Sequence, residues 1–151
     1  MSAEPVRYFE DHTVGTVYPT KQRLITVEDQ EAFCKLVGYN VPLFRDDEAG
    51  RKAGFKGRIA PSHLIMSFTT AMTGDMLQGS LIALLGIDGV KFLEVVQPGD
   101  TLRTEVEVIE KRESSKPDRG IVVFRDHVYN QHGREVFRND KSVLMRRRPA
   151  A

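Results

Sequence analysis

The sequence predicts an α+β domain in which an antiparallel sheet wraps around one long central helix. Three observations carry that expectation. The run from Pro61 to about Thr73 contains no Asp, Glu, Lys or Arg, as expected of a helix buried on most of its sides. Around Leu102 the pattern switches to alternation: Leu102, Thr104, Val106 and Val108 share one face, and Arg103, Glu105 and Glu107 the other. Further on, Asn130-Gln131-His132-Gly133 has the composition of a hairpin turn between two more extended runs, with Gly133 supplying a positive φ.

Taken in order, the stretch to about Asp11 is polar with a few aromatics and is expected along the surface. From His12 to Val27 the apolar residues Val14, Val17, Leu24 and Ile25 suggest extended structure, with Pro19 arguing against a central strand. Thr26, three residues before Asp29, is a weaker form of the capping-box pattern, and a helix follows to about Val37. Phe33, Leu36 and Val37 are expected on its inward face, and Gly38 ends it. The segment Gly38 to Gly57 is loop-like, with a short helix over Asp46 to Ala53 capped by Asp46. The long helix then opens at Pro61, whose missing N–H costs nothing in a first turn. Leu81 to Val96 is apolar and extended up to the turn Pro98-Gly99-Asp100. Strands over Gly120 to Tyr129 and Glu135 to Arg146 complete a meander preceded by a strand ahead of the first helix. This order is the pattern of a hot-dog fold.

A length of 151 residues, 40% of them hydrophobic and 28% charged, fits a single globular domain. Lys and Arg number 22 against 21 Asp and Glu, so neither nucleic acid nor a membrane is expected as a partner. The run Arg146-Arg147-Arg148 reads as a solvated tail. A single cysteine, Cys34, excludes an intramolecular disulfide and fits a reducing compartment. Only Lys35 stands beside it to activate a thiol, so it reads as a small helix residue, buried or half-buried. Met1 to Pro5 shows no secretory pattern, and no run approaches about 18 apolar residues; the expected location is cytoplasmic. The four histidines are scattered without metal-ligand spacing, so no metal and no resident cofactor are expected.

Several segments together resemble the MaoC-like acyl dehydratases, over about Tyr8 to Arg147. They are Phe33-Cys34-Lys35-Leu36-Val37-Gly38, then Pro42-Leu43 with Asp46 and Ala49, and Arg58-Ile59-Ala60-Pro61. The Pro98-Gly99-Asp100 turn with its alternating strand and the Asn130 to Gly133 hairpin add specificity. The resemblance implies a hot-dog domain acting on an enoyl thioester linked to coenzyme A or an acyl carrier protein. It also implies sheets paired edge to edge, as a homodimer or as a heterodimer with a catalytic hot-dog subunit. The family loop typically reads Gly-Asp-x-Asn-Pro-Leu-His, where the Asp and His activate water and handle the proton. Backbone N–H groups at a helix N-terminus hold the thioester oxygen as charge develops.

On that loop Gly38, Pro42 and Leu43 match, but Tyr39 stands at the Asp position, Val41 at the Asn position and Phe44 at the His position. Slipping by one residue to use Asn40 as the family Asn deletes the Asp and still lacks the His. Tyrosine has a reference pKa of about 10, too high for a base near neutrality, and phenylalanine transfers no proton. Each missing acid or base typically costs about 10² to 10⁴ in rate. The expectation is a protein that binds acyl-CoA but is non-catalytic alone, or serves as a subunit beside a catalytic partner. The alternative is an active hydratase or thioesterase using relocated groups, with Tyr39, Asn40 and His63 as catalytic candidates. Phe44, Ser62, His63 and Arg58 are the candidate substrate contacts, Ser62 through its backbone and Arg58, with Lys116 and Arg119, toward phosphates. Asp46 reads as a helix cap rather than a catalyst, and Asp75 as a weak thioesterase-like carboxylate. His127 and His132 are expected to be exposed.

Overall fold

Alternation in the second half of the chain and capping signals in the first build the two layers of this fold. The computed structural model describes residues 4–151; Met1 to Ala3, part of the start read above as lacking a secretory pattern, lie outside the described residues. Two short strands, β1 (Val17–Pro19) and β2 (Arg23–Leu24), precede the first helix, where the sequence suggested one. Helices α1 (Val27–Val37), α2 (Asp47–Lys52) and α3 (Ser62–Gly74) follow, then strands β3 (Leu81–Phe92), β4 (Thr101–Glu113), β5 (Arg119–Tyr129) and β6 (Glu135–Arg146). Among the described residues no helix is long and apolar enough to cross a membrane.

The sheet is antiparallel in the order β1-β4-β5-β6-β3, with β2 also pairing β4. The meander expected from the sequence holds for β4, β5 and β6, where Val106 opposes Asp126 and Asp126 opposes Asn139. β3 departs from it: rather than pairing with its sequence neighbour β4, it crosses to the far edge beside β6, with Ile87 opposite Lys141. Pro19, which has no N–H for a ladder, sits at the opposite edge in β1. The β3 edge exposes Leu81, Leu84, Leu85, Val90 and Phe92.

The local stop and start signals act as their chemistry requires. Thr26 and Asp29 form a reciprocal capping box on α1, and Gly38 ends that helix at φ +74°. The Asp46 carboxylate accepts from Glu48 N–H and Ala49 N–H at the start of α2. Gly133 closes the β5–β6 turn at φ +74°.

Burial corrects four expectations. The inward face of α1 is carried by Gln30 and Cys34, with Phe33 packed against the core as expected, while Leu36 is 84% exposed and Val37 is also exposed. With Gln30 and Cys34 four residues apart fixing the buried stripe, Leu36 falls roughly opposite Cys34 on the wheel. Helix α3 is buried on one side only, through Leu64, Ile65, Thr69 and Thr73; His63, Ser67, Thr70 and Ala71 are exposed. A charge-poor helix thus marks an uncovered face as well as a buried one. Phe9 is not a surface residue: its ring packs in the core where any side chain on Gly120 would have to go. Nor do Arg147 and Arg148 form a free tail, since Arg147 pairs with Glu10 and Glu113, and Arg148 with Asp11.

The interior divides into two apolar clusters. One gathers Ile25, Leu64, Ile65, Leu102 and Phe137 near the start of α3; the other holds Phe9, Leu77, Val106, Phe124 and Met145 near its end. Fully buried polar groups lie on the same inner face: Thr73 from α3, Thr104, Asp126, Asn139 and Lys141 from the sheet. Lys141 Nζ lies 2.9 Å from Asp126 Oδ2 and donates to Thr73 Oγ1 at 2.7 Å. Burial still pushes the Asp126 carboxyl above its ordinary range, with Lys141 opposing the shift.

Candidate functional site

The loop after α1 holds the positions that the resemblance singles out. Gly38 turns the chain in the left-handed region, which lets Tyr39 N–H reach back to the Cys34 carbonyl at 2.8 Å. Pro42–Phe44 then forms one 3₁₀ turn. The turn brings Phe44 under Tyr39, their rings meeting edge to face with centroids 5.0 Å apart and planes at 83°. The two positions expected to carry acid and base are therefore neighbours in space, and they are filled by an aromatic contact of a favourable geometry.

One buried side chain ties this loop to the entrance of α3. Gln30, fully buried, donates from Nε2 to the Phe44 carbonyl at 2.7 Å and to the Ile59 carbonyl at 2.8 Å. Ile59 N–H in turn donates to the Leu43 carbonyl at 3.1 Å. A ladder of charges runs along the outside of the same junction. Arg45 donates to Asn40 Oδ1 and to Glu31, both at 3.1 Å; Arg58 donates to Glu31 at 2.6 Å and to Asp47 at 3.0 Å. Hydrogen bonds from Arg45 and Arg58 hold the Glu31 carboxyl below its usual range, and Arg58 does the same to Asp47.

Each sequence candidate can now be placed. Tyr39 and Phe44 touch; Asn40 is the outer end of the charge ladder; the Arg58 guanidinium, its side chain 14% exposed, is engaged by two carboxylates. Ser62 and His63 are exposed in the first turn of α3. Pro61 precedes them and provides no side-chain cap, so the first N–H groups of that helix have no capping acceptor from it. Asp46 is a helix cap. Cys34 is fully buried, and burial raises its thiol pKa, which suits a packing role. Arg119 is paired with Asp118 at 2.8 Å. His132 is exposed, but His127 is not: it is half-buried between Glu107 and Glu135, each at 3.1 Å, because the outer face of the sheet is a network of charged side chains. Among the described residues no group of three or more His, Cys, Asp or Glu could hold a metal.

Gln30, Glu31 and Arg45 escaped the sequence reading. Gln30 and its acceptors lie 14 and 29 residues apart, and nothing local marks a helix glutamine as a bridge. A cavity of about 590 Å³ lies elsewhere, on the flank of α3 beyond Phe68; it is lined by Asp75, the exposed carboxylate candidate, and by none of Tyr39, Asn40, Phe44, Arg58, Ser62 or His63.

Comparison with known proteins bears on this geometry. The sequence model of the MaoC-like domain matches residues 10–126. A mesaconyl-CoA hydratase of Cereibacter sphaeroides is 30% identical over 100% of this chain, which spans only 44% of that protein's length. Among solved structures, a monoamine oxidase regulatory protein from Archaeoglobus fulgius is 32% identical, with a TM-score of 0.89 over 99% of this chain and 100% of that one. A Mycobacterium tuberculosis protein with a double hot-dog fold superposes with a TM-score of 0.88 over 97% of this chain and 46% of that one, at 22% identity, a likeness of fold alone.

Proposed function

This chain belongs to the MaoC-like domain family of hydratases and dehydratases and has its hot-dog fold, and we propose that it binds an acyl thioester without hydrating it by itself. The observation that carries this reading is the Tyr39–Phe44 contact. It fills, with two rings, the place where the family chemistry needs a base for water and an acid for the α-carbon. What remains is the binding half of the site: the uncapped N-terminus of α3, with Ser62 and His63, can hold a thioester oxygen. The carrier is coenzyme A or an acyl carrier protein. Support for coenzyme A comes from the relative that acts on a coenzyme A thioester.

The exposed apolar β3 edge supports a dimer formed by continuing the sheet, either with a second copy or with a catalytic hot-dog subunit in the cytoplasm. In the mixed dimer the partner supplies the missing acid and base. The test is hydration of a short trans-2-enoyl-CoA, followed by loss of the conjugated thioester absorbance, with binding measured in parallel by calorimetry. Binding without turnover is the expected result, with hydration appearing in the double substitution Tyr39→Asp, Phe44→His. Robust turnover by the unaltered chain would falsify the non-catalytic reading.

A second reading has one observation in its favour, the exposure of His63 beside the free donors of α3. It assigns hydration or thioester hydrolysis to His63 with Tyr39 or Asn40. Turnover that disappears in His63→Ala would establish it.

A further inference from the structure

The cavity on the flank of α3 is separate from the loop and the α3 N-terminus. Leu64, Ile25 and Val96 belong to a buried cluster onto which the cavity residues Phe68 and Met72 pack. The cavity floor is a strip of apolar side chains, Phe68, Ala71 and Met72 from α3 and Met76 from the 3₁₀ turn Asp75–Leu77 that follows it. The eight residue steps from Phe68 to Met76 make the strip at least about 12 Å long. The facing wall is Tyr18, whose position is fixed from behind: its hydroxyl lies 3.2 Å from Nδ1 of buried His12, and the two rings meet edge to face. Arg7 lies over the Tyr18 ring at 4.9 Å, and Arg23 over Phe68 at 4.7 Å.

Charge is distributed unevenly around this strip. Lys21 and Arg23 both line the cavity, Arg23 over the Phe68 ring; Lys21 has no ion pair among the described residues, and Arg23 pairs with Asp29 on α1. Asp75 lies at the other end of the helical strip, next to Met76. The lining as a whole carries three cations, Arg7, Lys21 and Arg23, against the acids Glu4 and Asp75, and Glu4 is only 3.8 Å from Arg7. An elongated apolar strip lined by Lys21 and, at its Phe68 end, by Arg23 suits a ligand with an alkyl body and one anionic head.

We propose that this cavity is a second binding site, taking a medium-chain fatty carboxylate with its head at Lys21 and Arg23 and its alkyl chain along Ala71, Met72 and Met76. The site is independent of the thioester reading, because its residues are disjoint from the Tyr39 loop and the α3 N-terminus. Its consequence is that the chain senses free fatty acid while holding a thioester elsewhere.

Decanoate is the probe, titrated calorimetrically into the full chain and followed in parallel by ¹³C-methyl methionine spectra. One-to-one saturable binding is expected, with the Met72 and Met76 methyls shifting and those of Met66 and Met145 unmoved. Shortening the probe to octanoate weakens binding about ten-fold. Ala71 and Lys21 are both exposed, so Ala71→Trp and Lys21→Glu leave the fold intact by circular dichroism. The first abolishes binding by filling the strip, and the second weakens it several-fold. Decanol, with the same chain and no charge, binds more weakly than decanoate. No binding at millimolar decanoate, binding unaffected by Ala71→Trp, equal binding of decanol, or displacement by crotonyl-CoA with a shift at Met66 would each overturn the assignment. Decanoate binding that survives saturating crotonyl-CoA keeps it distinct from the thioester site, and loss of crotonyl-CoA binding alone bears only on the other reading.

Discussion

Lowering the pH should unfold this protein through one imidazole. His12 is 1% exposed, wedged edge-on against Tyr18 and Phe124, and its Nε2 has no hydrogen-bond partner. Burial, reinforced by the positive charges of Lys111 and Arg7 and opposed by Asp11, pushes its pKa down to about 4 from 6.5. In the unfolded chain the ring protonates at its ordinary pKa, so between these values the unfolded state binds more protons. Stability therefore rises with pH across that window and is lost as pH falls through it. At 1.36 kcal/mol per pKa unit, the contribution lost by about pH 4.5 is roughly 2.5 kcal/mol. Urea unfolding midpoints for a domain of this size should then fall by about 1–2 M between neutral pH and pH 4.5. Depressed carboxylates such as Glu31 and Asp47 act in the same direction at lower pH, while raised Asp126 acts oppositely. The variant His12→Gln separates them, because it keeps a polar group at the site but does not titrate. The difference in unfolding free energy between variant and parent should change by about 2 kcal/mol across the window. Parallel pH profiles for the two proteins would refute the assignment of this slope to His12.

Three further outcomes follow from buried contacts. Lys141→Met, which strands Asp126 beside Asn139, should destabilise by about 3–5 kcal/mol, while adding Asp126→Leu recovers much of the loss; urea denaturation of the single and double variants checks this. Gln30→Ala removes both bonds joining the Phe44 and Ile59 carbonyls and should cost about 2 kcal/mol or more, with hydrogen exchange accelerating first around Pro42–Phe44. A methyl group on Gly50 would collide with the Gly57 carbonyl, so Gly50→Ala should lower stability by about 2 kcal/mol; an unchanged melting temperature would show that the α2 turn adjusts freely.

The fold was legible where the governing interactions are local. Thr26, Gly38, Asp46 and Gly133 act on backbone groups a few residues away, so their residue types alone predicted what they do. Alternation in β4 likewise stated which residues face inward before any partner strand was known. The presence of Tyr39 and Phe44 in the loop after α1 was readable for the same reason, since it is a matter of which side chains occupy a short segment.

Tertiary structure decided whatever depends on residues far apart in the chain. It sent β3 past β4 to the far edge, buried Gln30 and Cys34 in place of Leu36 and Val37, and turned His127 into a bridge between two glutamates. It also brought Tyr39 and Phe44 into an edge-to-face ring contact, held beside α3 by a glutamine that no motif announces. Sequence alone determined that Tyr39 and Phe44 stand at the loop positions where the resemblance expects an acid and a base. Only the packed chain decided that they meet, because contact between side chains is set by how the elements dock.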